Sequence, residues 1–203
     1  MNAALWLMAL ALPLAAPPKL LINAKLDTTS AAMGLERVFQ PLAGAQPQPA
    51  WIGYSVPLAR GYHLGCEYVS PGGWTAPGVV HLEPPDHAII LFRTEGGTVT
   101  RIRVLSPDCE IDAGGVPVHW LEEVQPGESA ALLQTFAASK NPERLRENAI
   151  SALSDSPEPS AVDFLINLAR KDQDSRVRRQ CVSALARSAD PRAAAFFKDV
   201  LKP

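Results

Sequence analysis

The feature that most constrains this chain is an internal repeat. Slid on itself by about 32 residues, the stretch 145–201 matches without a gap. Leu145-Arg146-Glu147-Asn148-Ala149-Ile150-Ser151-Ala152-Leu153 falls on Val177-Arg178-Arg179-Gln180-Cys181-Val182-Ser183-Ala184-Leu185. Further on, Pro159, Ala161, Phe164 and Leu168 fall on Pro191, Ala193, Phe196 and Val200. Each copy reads as two amphipathic helices joined by a tight turn. Leu145, Ala149, Ala152 and Leu153 make one apolar stripe, repeated by Val177, Cys181, Ala184 and Leu185. Ala161, Phe164, Leu165 and Leu168 make the stripe of the second helix, repeated by Ala193, Phe196, Phe197 and Val200. Asn141-Pro142, Glu158-Pro159 and Asp190-Pro191 each set a helix-starting side chain before a proline at the first helical position, where the missing N–H is harmless. A hairpin this short cannot bury its own stripe, so the copies must stack.

The pattern resembles the HEAT repeat, in particular the short form found in bacterial proteins and in the phycobilisome-lyase-like group. The carriers are Asp174-Ser175-Arg176-Val177-Arg178-Arg179-Gln180-Cys181-Val182-Ser183-Ala184-Leu185, followed by Asp190-Pro191-Arg192-Ala193. In that family a valine-arginine pair opens the first helix, and the arginine often bonds an acid of the neighbouring repeat. Arg178 matches directly, and Arg146 matches with leucine in place of valine. The resemblance implies a curved interaction surface and no chemistry; lyase activity does not come with it, because related repeats occur in many non-enzymes. Trp51-Ile52-Gly53-Tyr54 and Pro107-Asp108-Cys109-Glu110-Ile111-Asp112-Ala113-Gly114-Gly115 look like stretches of bacterial exported proteins in which a small N-terminal region precedes HEAT repeats. Those relatives carry more repeats and more cysteines.

The chain of 203 residues suits one or two domains, and a net charge of −2 with mixed acids and bases gives no general affinity for nucleic acid. The densest basic run, Arg170-Lys171 to Arg176, Arg178 and Arg179, is interrupted by Asp172 and Asp174 and reads as a solvated repeat edge. Residues 3–16 form an uncharged apolar run, short for a membrane span and suited to the core of a secretory signal. Cleavage after Ala16 meets Pro17-Pro18; a cut after Ala24 and an uncleaved anchor are the alternatives. A periplasmic or secreted location follows, with no stable membrane span after cleavage. Cys66 and Cys109 lie in the loop-rich front half and form the candidate disulfide, with two unpaired thiols as the alternative. Cys181 sits in a helical stripe and reads as a small buried apolar residue.

In the middle of the chain, residues 20–26 are short and apolar, and Ser30 is placed to cap a helix running to Leu42. Strands are expected from Trp51 to Pro57 and over residues 79–83, 88–94 and 98–105, the last two joined by Glu95-Gly96-Gly97 in a tight hairpin. Ile90, Phe92, Val99, Ile102 and Val104 supply an apolar face. Residues 106–117 are turn-rich, His119-Trp120-Leu121 opens a weak segment, and 130–138 reads as a helix that caps the stack through Leu132, Leu133 and Phe136. Trp120 and Leu121 are then natural packing residues at the junction.

The chemistry-bearing residues do not assemble into a site. His63 and Cys66 lack a second ligand pair, and His81 and His87 flank a proline turn near Glu83 and Asp86. No serine sits in a glycine-flanked elbow, Glu122-Glu123 reads as a solvated pair, and the glycine pairs lack the context of a phosphate loop. No metal, cofactor or catalytic residue is expected. The fold class is α+β: residues 1–24 as signal peptide, a small β-rich domain over 25–125, and a short α-solenoid of HEAT-like hairpins over 126–203. The expected function is a non-catalytic protein-interaction or scaffold module, binding a protein partner through Arg144, Glu147, Arg176 and Arg179. The alternative is small-molecule or glycan binding by an aromatic set in the front domain, Trp51, Tyr54 and Trp74 with Tyr62 and Tyr68 nearby.

Overall fold

The computed structural model describes residues 17–18, 21–45, 48–59, 66, 85–138 and 140–202. The expected strand over 79–83 lies outside them, as do the apolar run at 3–16, Tyr62, His63, Tyr68, Trp74 and His81. Among the described residues, the first half forms β1 (Leu21–Ile22), β2 (Lys25–Ser30), α1 (Leu35–Gly44), β3 (Ala50–Pro57), β4 (His87–Glu95), β5 (Thr98–Leu105), β6 (Ile111–Asp112) and β7 (Pro117–Glu122). Five helices follow: α2 (Pro126–Ala137), α3 (Glu143–Ser154), α4 (Pro159–Lys171), α5 (Ser175–Arg187) and α6 (Pro191–Val200). The mixed class, strands first and then helices, is as the sequence predicts.

Five strands make one sheet in the order β2-β7-β3-β4-β5. The β4–β5 hairpin forms as expected, with Glu95 paired to Thr98 and both turn glycines at positive φ, 57° and 75°. The other end of the sheet is parallel and was not foreseen. β7 lies between β2 and β3, parallel to both, so the weak segment His119-Trp120-Leu121 is an interior strand. Its six residues carry little signal alone; their pairing comes from residues far away in sequence. β6, within the turn-rich stretch, pairs with β1, and Asn23 at φ 51° separates β1 from β2.

Ser30 does not cap a helix. It ends β2, its hydroxyl donates to the Glu123 carboxylate and accepts the Ala32 N–H, and α1 starts only after Gly34 turns the chain at φ 110°. Similarly α2 begins four residues before the expected start, with Pro126 at its first position.

The inner face of the sheet carries Ile52, Tyr54, Val56, Ile90, Phe92, Ile102 and Leu121, and these share one continuous core with the apolar stripes of α1 to α6. Phe39, Phe92 and Phe136 meet at centroid distances of 4.9 to 6.1 Å, which ties α1, β4 and α2 together. The outer face has a smaller core of Ile89, Leu91, Leu105, Cys109 and Trp120, flanked by Trp51 and Ile111. The junction expectation is therefore half right. Leu121 faces the helices, whereas Trp120, its neighbour on the strand, points to the opposite side. Gly53 makes room for that indole: a Cβ there would lie 2.6 Å from Leu91 Cδ2 and 3.1 Å from the Trp120 ring.

The hairpin stripes are buried as expected at Leu145, Ala149, Ala152, Leu153, Val177, Cys181, Ala184 and Leu185. Val200 departs from its stripe and is 59% exposed, since no further helix covers it among the described residues. Proline opens α4 and α6 as expected; Asp190 caps α6 by accepting the Arg192 N–H at 2.8 Å, whereas the Glu158 side chain makes no cap at α4. Asn141 does not cap α3. Its amide donates instead to the carbonyls of Thr135 and Phe136, closing the end of α2.

Candidate partner-binding surface

The polar residues of the hairpins divide into those consumed in holding the stack and those left outside. Arg146, on α3, is buried; its Nε donates to the Ala137 carbonyl at 3.1 Å and its Nη2 to the Asp172 carboxylate at 2.5 Å. Asp172 follows α4, its other carboxylate oxygen accepts the Asp174 N–H, and its backbone carbonyl accepts from Arg178 at 2.7 Å. Asp174 in turn caps α5 through the Arg176 N–H. One aspartate thus links three helices. The arginine that reaches an acid is Arg146; Arg178 bonds the carbonyls of Asp172 and Gln173 instead.

Equivalent seams run along the outside. Arg176 donates to Glu143 at 2.7 Å, Gln180 to the Glu147 carbonyl at 2.8 Å, Arg192 to Asp163 at 2.9 Å, and Arg170 to Asp199 at 2.8 Å. The hydrogen bond to the Glu143 carboxylate, then the charges of Glu143 and Asp174, hold the Arg176 guanidinium more firmly protonated than usual. Of the four predicted contact residues, Arg176 is therefore engaged in a seam. Glu147 gives its backbone to a seam and has no side-chain bond among the described residues. Among the described residues Arg179 makes only a long 3.4 Å contact with Ser175. Arg144, aligned with Arg176 in the repeat, has no ion-pair partner among the described residues and lines a different surface.

That other place is a groove of about 730 Å³ between α1, the start of β5 and the α2–α3 connection. Phe39, Val99 and Phe136 give it an apolar floor; Glu36 stands on one wall, Lys140 and Arg144 on the other. Sequence reasoning singled out Arg144 but missed the groove, because its walls come from three separate stretches of chain.

The aromatic set does not form a platform. Tyr54 and Trp51 are three apart on β3 and point to opposite faces. Tyr54 is fully buried in the inner core, with its Oη 2.9 Å from Ser129 Oγ, and burial raises its phenol pKa well above the ordinary value. It cannot contact a ligand without unpacking the core. Trp51 is half-buried on the outer face with the Arg93 guanidinium 5.5 Å from its ring. Trp74 lies outside the described residues.

Cys66 and Cys109 are bonded, with their Cα atoms 5.4 Å apart. Cys181 is a buried free thiol, its pKa pushed up to about 12 by burial and then by the charge of Asp172. Asp155, just after α3, is raised to about 6 by burial, against the opposing effects of the Ser154 hydrogen bond and the Arg187 charge. It borders a cavity of about 10 Å³ between sheet and helices, room for roughly one water. Among the described residues no helix is long and apolar enough to cross a membrane, and no three His, Cys, Asp or Glu side chains are placed to hold a metal.

Residues 118–203 match a family model of HEAT repeats. The match starts within β7, ahead of α2, and covers both full hairpins. No curated protein and no solved structure matches this chain.

Proposed function

We propose that the chain is a non-catalytic protein-interaction or scaffold module of the bacterial cell envelope, periplasmic or secreted, that holds a protein partner through its HEAT repeats. The observation that supports this most directly is the repeat match over 118–203, since HEAT repeats generally serve as interaction or scaffold modules. The division of the polar residues agrees with it. The seams hold the stack internally, which leaves the side chains of Arg144, Glu147 and Arg179 available without loosening the fold. The Cys66–Cys109 bond supports an oxidising compartment, where such bridges persist.

Deleting the repeats would expose the inner face of the sheet, so the test uses the full chain with surface substitutions. Immobilised wild-type protein and a Glu147→Arg, Arg179→Glu variant are compared for capture from a bacterial envelope extract. The variant should lose the captured species while keeping the wild-type melting curve. Equal capture by both proteins would move the function off this face, and recovery of the chain from cytoplasm with three free thiols would remove the envelope assignment.

A further inference from the structure

Resting on the reading of the chain as an interaction module, the geometry points to a specific docking site: the groove between α1, β5 and the α2–α3 connection receives an extended peptide segment of a partner, with an apolar side chain next to carboxylates. Three observations carry the choice of occupant. The floor is apolar, and Phe136 and Val99 remain half-exposed there although both pack against the main core. A side chain laid on them completes their burial. Secondly, Lys140 and Arg144 stand on one wall with no acidic side chain within ion-pair distance among the described residues, although most arginines of the helical hairpins have found a carboxylate or carbonyl partner. Pro142 supplies no capping side chain to α3, and Glu143, the acid of that first turn, is engaged by Arg176, so the positive end of the helix adds to the same field. The single opposing charge is Glu36 across the groove, which leaves a net cationic wall.

The third observation is the sheet edge. β5 is the last strand of the sheet, and Thr98 to Thr100 line the groove. The register shift opposite Arg93 and Thr94 makes Thr100 the extra residue of a bulge, its hydroxyl donating to the Arg93 carbonyl at 3.4 Å, and the bulge bends the edge strand there. An extended peptide therefore meets open backbone groups over a short length only, and its side chains set the specificity. A volume of about 730 Å³ suits a few side chains of one segment.

The probes are three libraries of fluorescein-labelled octapeptides read by anisotropy with the full chain: one of Phe, Leu, Asp and Glu, one of Phe, Leu and Lys, and one of Ser, Asp and Glu. The apolar-acidic library should bind, and Lys140→Glu with Arg144→Glu should weaken it by about tenfold or more with an unchanged melting curve. Added salt should weaken the wild-type binding in the same direction. Equal binding of the three libraries, preference for the lysine library, no binding of any, or indifference to the charge reversal would each overturn the site. The two readings fail separately. If the groove variant still captures the envelope partner while the Glu147→Arg, Arg179→Glu variant does not, the module stands and the groove falls.

Discussion

Replacing Arg146 by methionine tests whether one buried ion pair holds the repeat stack together. The substitution keeps most of the side-chain stem but removes the guanidinium that links the end of α2 to the loop after α4. The Asp172 side chain is only 6% exposed, and the Arg146 side chain 7%, so the carboxylate left behind has little access to water. Breaking such a pair from one side costs about 3 to 5 kcal/mol, because the surviving charge is desolvated without compensation. The lost bond to the Ala137 carbonyl adds about 1 kcal/mol. Against a typical total stability of about 5 to 15 kcal/mol this is a large fraction. Adding Asp172→Asn removes the stranded charge and keeps an oxygen to accept the Asp174 N–H, so the double variant should be more stable than Arg146→Met alone. Urea unfolding followed by helical circular dichroism and by tryptophan fluorescence gives both values. The two signals should coincide, because a single core joins sheet and helices. A cost below about 1 kcal/mol for Arg146→Met, or a double variant as unstable as the sum of its parts, would show that the pair does not bear on the stack.

Asp155 gives a pH prediction. Its folded value of about 6 lies above the unfolded value of about 3.9, so the native state favours the neutral form. The resulting penalty is fully present above about pH 7 and disappears below about pH 3; Asp155→Asn should therefore stabilise by about 2 to 3 kcal/mol at pH 7.5 and by nothing near pH 3. A pH-independent difference between the two proteins refutes this. Gly53→Ala should lower stability by about 1 to 3 kcal/mol through overpacking against Leu91 and Trp120, and an unchanged thermal midpoint would mean that the outer core has slack. Thiol labelling in denaturant should find one cysteine before reduction and three after, and Cys66→Ser with Cys109→Ser should cost up to about 4 kcal/mol. Three thiols before reduction would rule out the bridge.

What the sequence made legible was local or periodic. The hairpin stripes, the β4–β5 turn and the proline starts of α4 and α6 each depend on residues within a few positions of one another. The parallel part of the sheet was hidden for the opposite reason: β7 is specified by Ile52, Leu121 and Trp120 finding their faces among strands more than sixty residues apart in sequence. Ser30 illustrates a related failure, since a serine before a helical pattern serves a cap or a strand end equally well and only the pairing with β7 decides. The candidate groove was half visible. Arg144 stood out as a repeat position, but nothing in its own helix distinguishes it from Arg176; the difference is that Arg176 has Glu143 of the preceding hairpin within reach and Arg144 does not. Tyr54 and Trp51 were grouped because they are close in sequence, and the alternation of a strand separated them.

The interior position of β7 also governs the order in which the molecule can be made. β2 and β3 are synthesised early, yet neither can complete its pairing until residues 117–122 arrive and insert between them. A nascent chain halted before residue 117 holds the β3–β4–β5 portion with an open edge at β3 and with only α1 to cover its inner face, a species prone to pairing with other chains. Because the strand that fills that gap leads directly into α2, closure of the sheet and arrival of its helical cover are consecutive events on the emerging chain.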